Sequence, residues 1–304
     1  MKKKFIAMIS VLVAISLMIV SLFSASAAVY VQDGKFKYQL ISDDSVSWAG
    51  YTSSTVDDVT VPRYYDGKKV IGVANFALEN NSSVRTIDFM ESPDLSAIGM
   101  YAFSGCSSLE SVIVPDGITT VDVSAFRDCS SLNTVEFYGN NNSVPVECFY
   151  NCASLENVRL SAFLNSIQSH AFAGCTSLQY LELLDTVQYI APNAFENDDN
   201  LTLGVYYGTY SHNYAVENNI KYKLLDTVLL GDVSGDGIVN INDVTLIQSD
   251  VAEMDKIEGL SFYAADTNRD GKVDIADATV LQAYLAEYSV QFPIGESVPA
   301  QYLY

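Results

Sequence analysis

Oxygen-bearing side chains recur at a fixed spacing in two stretches near the C-terminus. Each stretch carries them at positions 1, 3, 5, 9 and 12, with glycine at position 6 and a backbone carbonyl offered at position 7. Calcium binds about six to eight oxygen ligands, and a loop of this spacing wraps around one ion. Because the pattern occurs twice, 34 residues apart, the sequence predicts two bound Ca²⁺ ions. The predicted ligands are Asp232, Ser234, Asp236, Ile238, Asn240 and Asp243 in the first loop, and Asp266, Asn268, Asp270, Lys272, Asp274 and Asp277 in the second.

Apolar residues follow both loops at the spacing of an amphipathic helix. Each loop is therefore predicted to open a helix whose apolar face packs against a partner. Only residues 228–231 separate the first loop from the preceding domain, which leaves little room for the entering helix of an EF-hand. The apolar positions are Val244, Ile247, Val251 and Met254 after the first loop, and Ala278, Leu281, Leu285 and Tyr288 after the second.

This duplicated loop-plus-helix arrangement resembles the type I dockerin family over about Val228–Ile294. The resemblance implies a calcium-dependent module that binds a cohesin domain of a scaffoldin, the scaffold of a polysaccharide-degrading cellulosome. It also implies that loop positions 10 and 11 and helix positions 17, 18 and 22 contact the cohesin. These are Ile241, Asn242, Gln248, Ser249 and Glu253 in the first copy, and Ile275, Ala276, Gln282, Ala283 and Glu287 in the second.

Three of these five positions carry the same residue in both copies, so docking in two orientations is possible. The family's frequent Ser-Thr pair at positions 10 and 11 is absent, which leaves the cohesin class open. An alternative reading places Ile241 and Ile275 in the core of the small domain rather than at the docking surface.

The middle of the chain is a repeat with a period of 23 residues. A phenylalanine and, six residues later, a leucine recur in five successive copies, and a looser copy precedes them at Phe76. Short alternating strands follow each leucine, so the pattern predicts a solenoid of six coils. The repeat resembles the BspA-type leucine-rich repeat over about Val70–Tyr222. The recurring residues are Phe103, Phe126, Phe149, Phe172 and Phe195, with Leu109, Leu132, Leu155, Leu178 and Leu201.

Four of the five cysteines lie three residues after a repeat phenylalanine, and Asp198 takes that place in the fifth copy. A column of buried free thiols is the favoured interpretation, because cysteine packs as a small apolar side chain. A disulfide between neighbouring coils and a metal site are the alternatives. The fifth, Cys148, is expected in the core. The column comprises Cys106, Cys129, Cys152 and Cys175.

The chain divides into four predicted segments. Three lysines, an apolar run over Phe5–Phe23 and the small residues Ala25-Ser-Ala27 predict a secretory signal at 1–28, with an uncleaved membrane anchor as the alternative. Residues 29–226 are expected to form the capped solenoid, 228–294 the all-α dockerin, and 295–304 a loose tail. The predicted fold class is α+β.

Composition and charge narrow the function. A formal charge of −21 disfavours nucleic acid or an anionic membrane as a partner. The two histidines stand on separate elements, and the sequence contains neither a phosphate loop nor a metalloprotease motif. We therefore expect a secreted, non-catalytic protein whose repeats recognise a protein or a glycan. The alternatives are an enzyme hidden on the solenoid, and a cell-surface adhesin whose calcium loops are only structural.

Overall fold

The computed structural model describes residues 28–53 and 56–300. It confirms the predicted fold, because short strands stack into a solenoid that leads into a small helical domain. The strands are β1 (Tyr30–Asp33), β2 (Phe36–Leu40), β3 (Ser45–Tyr51), β4 (Asp58–Thr60), β5 (Tyr64–Tyr65), β6 (Lys68–Val73), β7 (Thr86–Asp88), β8 (Ala97–Ile98), β9 (Ser111–Val114), β10 (Thr120–Val121), β11 (Thr134–Phe137), β12 (Ser143–Val144), β13 (Asn157–Arg159), β14 (Ser166–Ile167), β15 (Tyr180–Glu182), β16 (Tyr189–Ile190), β17 (Thr202–Val205), β18 (Lys221–Leu224), β19 (Thr227–Leu229) and β20 (Ser297–Pro299). The helices are α1 (Tyr210–Glu217), α2 (Ile241–Val251), α3 (Leu260–Ala265) and α4 (Ile275–Leu285).

An antiparallel meander of β1, β2 and β3 covers the N-terminal end of the solenoid. The hairpin β5–β6 turns at Asp66 and Gly67, which both have positive φ, as a two-residue hairpin turn requires. Strand β3 then pairs in parallel with β6, so the meander continues directly into the stack. Trp48 on β3 is fully buried in this end of the core.

Each coil contributes strands to two columns. One column runs from β4 and β7 through β9, β11, β13 and β15 to β17 and β18, and the other contains β6, β8, β10, β12, β14 and β16. Within the first column the pairs are parallel and in register, with Val112, Val135 and Val158 side by side. The first column gives about eight turns instead of the six predicted, because the flanks add coils at β4 and β18.

Stacked phenyl rings form the centre of the solenoid. The ring centroids of successive repeat phenylalanines lie 5.4–5.7 Å apart, with interplanar angles of 8–21°. In the looser first copy, Phe76 does not enter this column of rings. Leu78 occupies the position that a phenylalanine has in the later coils. Its carbonyl oxygen accepts a hydrogen bond from the Cys106 thiol, just as the carbonyl oxygen of Phe103 accepts one from the Cys129 thiol. Phe76 is half exposed and stacks on Tyr101 outside the column.

The cysteine column is buried, and all five cysteines are free. Each column thiol donates a hydrogen bond to a carbonyl oxygen of the preceding coil. Cys129 Sγ lies 3.2 Å from the oxygen of Phe103, Cys152 Sγ 3.1 Å from that of Phe126, and Cys175 Sγ 3.2 Å from that of Phe149. The thiols therefore use their only donor inside the core, as the favoured interpretation requires.

The solenoid joins the C-terminal domain through a very short connection. Strand β18 ends at Leu224 and β19 begins at Thr227, so only residues 225 and 226 lie between them. Tyr207 of the last coils packs on Gly259, where an added Cβ would lie 3.2 Å from the tyrosine ring and hydroxyl. The two domains therefore touch each other beside the connection.

The C-terminal domain differs from the prediction in two respects. A short helix, α3, lies between the two loop-helix units, and its N-cap Gly259 provides no side-chain cap. The tail was predicted to be loose from residue 295 onward, but β20 pairs antiparallel with β19 and buries Val298 and Ala300. Residues 301–304 lie outside the described part of the chain.

The predicted signal segment, residues 1–28, lies outside the described residues except for Ala28. Among the helices of the described part, none combines the length and the apolar character that a membrane crossing needs.

Candidate metal centre and docking surface

The first loop is folded around the carboxylate at its first position. Asp232 Oδ1 accepts the backbone N–H groups of Gly235 and Asp236, at 2.9 and 3.1 Å, and Oδ2 accepts that of Gly237 at 2.8 Å. Gly237, at position 6, has φ of 84°, a conformation that glycine adopts without strain. One aspartate thus closes the turn and fixes its own orientation.

The second loop repeats this arrangement. Asp266 Oδ1 accepts the N–H of Asp270 at 3.0 Å, and Oδ2 accepts that of Gly271 at 2.9 Å. Gly271 has φ of 86°, matching its counterpart in the first loop. The two loops therefore have the same fold, as the repeated ligand spacing predicts.

The aspartate at position 12 connects each loop to its helix. Asp243 accepts the N–H groups of Ser234 and Asn240, both at 2.9 Å, and Asp277 accepts those of Asn268 and Asp274 at 3.0 and 2.9 Å. Position 9 is the N-cap of the helix and position 12 is its third residue, so each pair forms a capping box. The same side chains thus order the loop and start α2 and α4.

The remaining predicted ligands lie on the outer side of the loops. Asp236 Oδ1 and Asp270 Oδ1 accept the N–H of position 7, at 2.9 and 3.0 Å. Ser234 Oγ donates to Asp232 Oδ1 at 3.2 Å. The side chain of Ile238 has no ligand atom and is 63% exposed, so only its backbone carbonyl is available as a ligand.

Acidic side chains are buried in both loops, which suits a cation. Asp243, Asp266 and Asp277 are fully buried, and Asp232 is nearly so. Burial raises the pKa of Asp277, and the neighbouring carboxylates of Asp266 and Asp274 add to the shift. Buried like charges are unfavourable unless a cation compensates them.

Among the described residues, no group of three acidic, histidine or cysteine side chains converges as a metal cage. The ligand set predicted here also contains hydroxyl, amide and backbone oxygens, and its carboxylates are instead turned toward backbone N–H groups. An all-oxygen set with buried carboxylates fits calcium, a hard cation. When bound, the ion would supply the positive charge that the buried aspartates lack.

The predicted docking residues lie on the surface of the domain. Ile241 and Ile275 are 62% and 57% exposed, so the alternative that placed them in the core is wrong. Ser249 and Ala283 are half buried, and the other predicted contacts, Asn242, Gln248, Glu253, Ala276, Gln282 and Glu287, are exposed.

Three residues at the C-terminal ends of the helices, which the sequence predicts on the buried face, are exposed. Val251, the last residue of α2, is 40% exposed. Met254 and Tyr288 are 78% and 71% exposed because α2 ends at Val251 and α4 at Leu285. The helical face therefore stops one turn earlier than the apolar spacing suggested, and its buried part consists of Val244, Ile247, Ala278 and Leu281.

Comparison with known proteins agrees with this division of the chain. Residues 69–202 match the family model of the BspA type leucine rich repeat region in six copies, and residues 230–286 match that of the dockerin type I domain. No protein of curated function matches the chain.

Several solved structures are similar to the solenoid. A leucine rich cell surface protein from Faecalibacterium prausnitzii A2-165 is 25% identical with a TM-score of 0.50, and the match covers 59% of this chain and 55% of that one. A leucine rich repeat protein of T. pallidum is 25% identical with a TM-score of 0.39, covering 57% and 70%. One from Eubacterium ventriosum ATCC 27560 is 19% identical with a TM-score of 0.43, covering 57% and 51%.

The chain thus spans 55% of the length of the Faecalibacterium protein. Both family models match the segments that the folded loops and the stacked coils define. Residues 69–202 are a BspA-type leucine-rich repeat region and residues 230–286 a type I dockerin domain, so the chain joins two interaction modules.

Proposed function

We propose that this chain is a secreted, non-catalytic component of a cellulosome. In this proposal the dockerin binds two Ca²⁺ ions and docks on a cohesin domain of a scaffoldin, while the repeats recognise a separate ligand. The matching fold of the two loops supports it most directly, since in both loops the carboxylates at positions 1 and 12 accept hydrogen bonds from the same backbone N–H groups.

The loops explain why docking should depend on calcium. Asn240 and Asp274 are ligands at position 9 and also cap α2 and α4, accepting the N–H groups of Asn242 and Ala276 at 2.8 and 2.7 Å. An ion that holds these side chains also holds the first turn of each helix. The exposed isoleucines 241 and 275 stand on those first turns, so the ion sets the shape of the docking surface.

The duplicated surface supports docking in two orientations. The two loop-helix units are equivalent, and α2 and α4 pack against each other in the core of the domain. A cohesin that binds the unit around Ile241 in one orientation could bind the similar surface around Ile275 in the reversed orientation. Each isoleucine is an exposed apolar side chain at the start of the helix of its unit.

The experiment is a pull-down of the full chain by a panel of immobilised cohesins, with calcium and with a chelator. We expect retention only with calcium. Ile241→Asp and Ile275→Asp should each leave one docking surface intact and retain binding, whereas the double variant should lose it. Ile41→Asp on the solenoid cap, where the side chain is 50% exposed, is the matched control.

Failure of every cohesin to retain the chain in calcium would overturn the proposal. It would favour the adhesin alternative, in which the loops serve only the stability of the C-terminal domain. Retention by the double variant would place the docking surface elsewhere.

A further inference from the structure

Strands β9, β11, β13 and β15 present a continuous face to solvent. The second residue of each strand is buried, or half buried in β13, and the residues on either side of it are more exposed. Ile113, Glu136 and Arg159 are register partners across the first three strands, and Glu182 stands at the same place one coil later. Carboxylates therefore alternate with a guanidinium along one row.

Three depressions lie side by side along this face. The first, of about 650 Å³, is lined by apolar groups that include Met90, Ile113 and Pro115, with Tyr138 as one wall. The second, of about 470 Å³, lies between Tyr138 and Tyr180, and the third, of about 400 Å³, lies on the other side of Tyr180. Each volume falls in the range of a small-molecule site, roughly 300–1,000 Å³.

The tyrosine between the first two depressions is held in place by its neighbours. The ring of Tyr138 is 47% exposed, and the guanidinium carbon of Arg159 lies 4.8 Å from its centroid. Its hydroxyl donates a hydrogen bond to the Glu136 carboxylate. A stacking and a hydrogen-bond partner thus fix the ring before any ligand arrives.

The second tyrosine lies along the surface of the sheet because its neighbour is a glycine. An added Cβ on Gly204, the outward residue of β17, would come within 2.2 Å of the Tyr180 hydroxyl oxygen. Gly204 does not have positive φ, so its backbone conformation does not require a glycine. The space for the Tyr180 ring comes from the missing side chain. The ring of Tyr180 is 41% exposed.

The size of the face argues against a globular protein as its ligand. A strand of three or four residues is about 10–13 Å long, and the step from β9 to β15 covers three spacings of about 4.8 Å, or about 14 Å. The resulting area is roughly 140–180 Å², whereas a stable protein interface buries about 800 Å² on each side. A thin, linear molecule fits the face better.

The available hydrogen-bonding groups favour an oligosaccharide over an extended peptide. A peptide that binds through its backbone pairs with the edge of a sheet, whereas here the strand backbones already pair with one another. Side chains supply the remaining groups, namely the carboxylates of Glu136 and Glu182, the amide of Asn157 and the guanidinium of Arg159. Sugar hydroxyls both donate and accept hydrogen bonds, and the C–H faces of sugar rings stack on aromatic rings.

The negative charge of the chain and of this face favours a neutral oligosaccharide over an acidic one. The chain carries a formal charge of −21, and Glu136, Glu156 and Glu182 line the second and third depressions beside the single guanidinium of Arg159. An acidic polysaccharide would be repelled by such a surface. A neutral one would not.

We propose that this face binds a neutral oligosaccharide running across the strands, with Tyr138 and Tyr180 as its stacking platforms. The proposal deepens the proposed function, since it names the ligand class and the place of binding for the repeat domain. The polar side chains between the rings take the hydroxyl groups, and the apolar first depression takes a less polar part of the chain.

The test is calorimetric titration of the full, calcium-loaded chain with cellohexaose, xylohexaose and mannohexaose, and with hexagalacturonate as an acidic probe. At least one neutral hexasaccharide should bind. Tyr138→Ala and Tyr180→Ala should each weaken that binding about tenfold, the effect of losing one aromatic contact.

Gly204→Ala keeps both rings but displaces Tyr180, so it should weaken binding while the melting temperature changes little. Tyr189→Ala is the matched control, since Tyr189 is 45% exposed on the other column of strands. Binding of the control variant should equal that of the unaltered chain, and circular dichroism checks that all variants are folded.

No binding of any neutral hexasaccharide, or tighter binding of the acidic one, would overturn the proposal. Binding that survives both tyrosine substitutions would overturn the location. Calcium-dependent retention by cohesin is measured on the same variants, so a failure of sugar binding stays distinct from a failure of docking.

Discussion

Val228 and Val298 face each other across an antiparallel strand pair, and each is less than 9% exposed. Their pairing joins the first strand of the dockerin to the last described residues of the chain. Leu230 N–H also donates to the carbonyl of Glu296 at 3.0 Å, and Gly295 N–H to that of Leu230 at 2.8 Å. The segment from 295 to 300 is therefore part of the folded domain.

Charging this strand pair should destabilise the dockerin. Val298→Lys places an ammonium group at a buried site without a partner, so we expect a loss of about 1–3 kcal/mol in the free energy of unfolding. Ser297→Lys is the matched control, because Ser297 is an exposed residue of the same strand. Thermal melts followed by helical circular dichroism measure the effect, and equal melting of the two variants would contradict it.

Removal of calcium should unfold the dockerin and leave the solenoid folded. The helices α2 and α4 begin at capping boxes formed by predicted ligands, and binding energy at such sites is also folding energy. Excess EDTA should therefore remove most of the helical circular dichroism, apart from the contribution of α1 in the solenoid cap.

The single tryptophan reports on the other domain. Trp48 is fully buried at the N-terminal end of the solenoid, so its emission should not change when EDTA is added. A red shift of the emission would show that the solenoid unfolds with the dockerin. An unchanged helical signal would show that the loops do not need the ion.

The calcium loops were predictable because their ligands are local in sequence. Every hydrogen bond within a loop joins residues at most ten apart. The stacked phenylalanines were predictable for a similar reason, since a fixed period places them in one column. Leu78 escaped because it is not aromatic, although it stands 25 residues before Phe103 and so lies closer to the 23-residue period than Phe76, which stands 27 before it.

Other features had no local signal. Strand β20 is three residues long and pairs with a strand about 70 positions earlier, and no short pattern encodes such a partner. Helix α3 begins after Gly259 without a capping side chain, so the usual start signal is missing. The platform of Tyr180 depends on Gly204 in the next coil, a contact that appears only when the coils are stacked.

The five thiols should be unreactive in the folded chain. All are fully buried, and burial raises the pKa of each. Because the thiolate is the reactive form, Ellman's reagent should detect no thiol in native conditions and five in denaturant. Four of the thiols also donate a hydrogen bond to a buried carbonyl oxygen. Three thiols in denaturant would instead reveal one disulfide, and rapid native reaction would contradict the burial.

Asp198 occupies the cysteine column in the coil after Cys175, and it should make stability depend on pH. Burial, with a smaller contribution from the neighbouring Asp199 carboxylate, raises the pKa of its carboxyl group to about 7. The nearby N–H groups of Gly174 and Cys175 oppose the shift, but both already donate to carbonyl oxygens. The folded chain therefore favours the protonated acid, which can donate a hydrogen bond as the column thiols do.

The sign of the dependence follows from this preference. In the unfolded chain the acid ionises near its ordinary value of 3.8, so stability falls as pH rises from about 4 to about 7 and is level above that. Asp198→Asn stays neutral throughout, and its advantage over the unaltered chain should grow across the same range. We expect about 1–3 kcal/mol at pH 8, after allowance for partial access of water to the carboxyl group.

Urea unfolding of the two chains at pH 5 and pH 8, in saturating calcium, measures the difference. Asp198→Cys restores the column and should behave like the asparagine variant, since its thiol donates without carrying a charge. Asp199→Asn, at the exposed neighbouring position, removes the same charge from the chain but leaves the buried acid in place. If the difference between Asp198→Asn and the unaltered chain were the same at both pH values, Asp198 would not be buried in its protonated form.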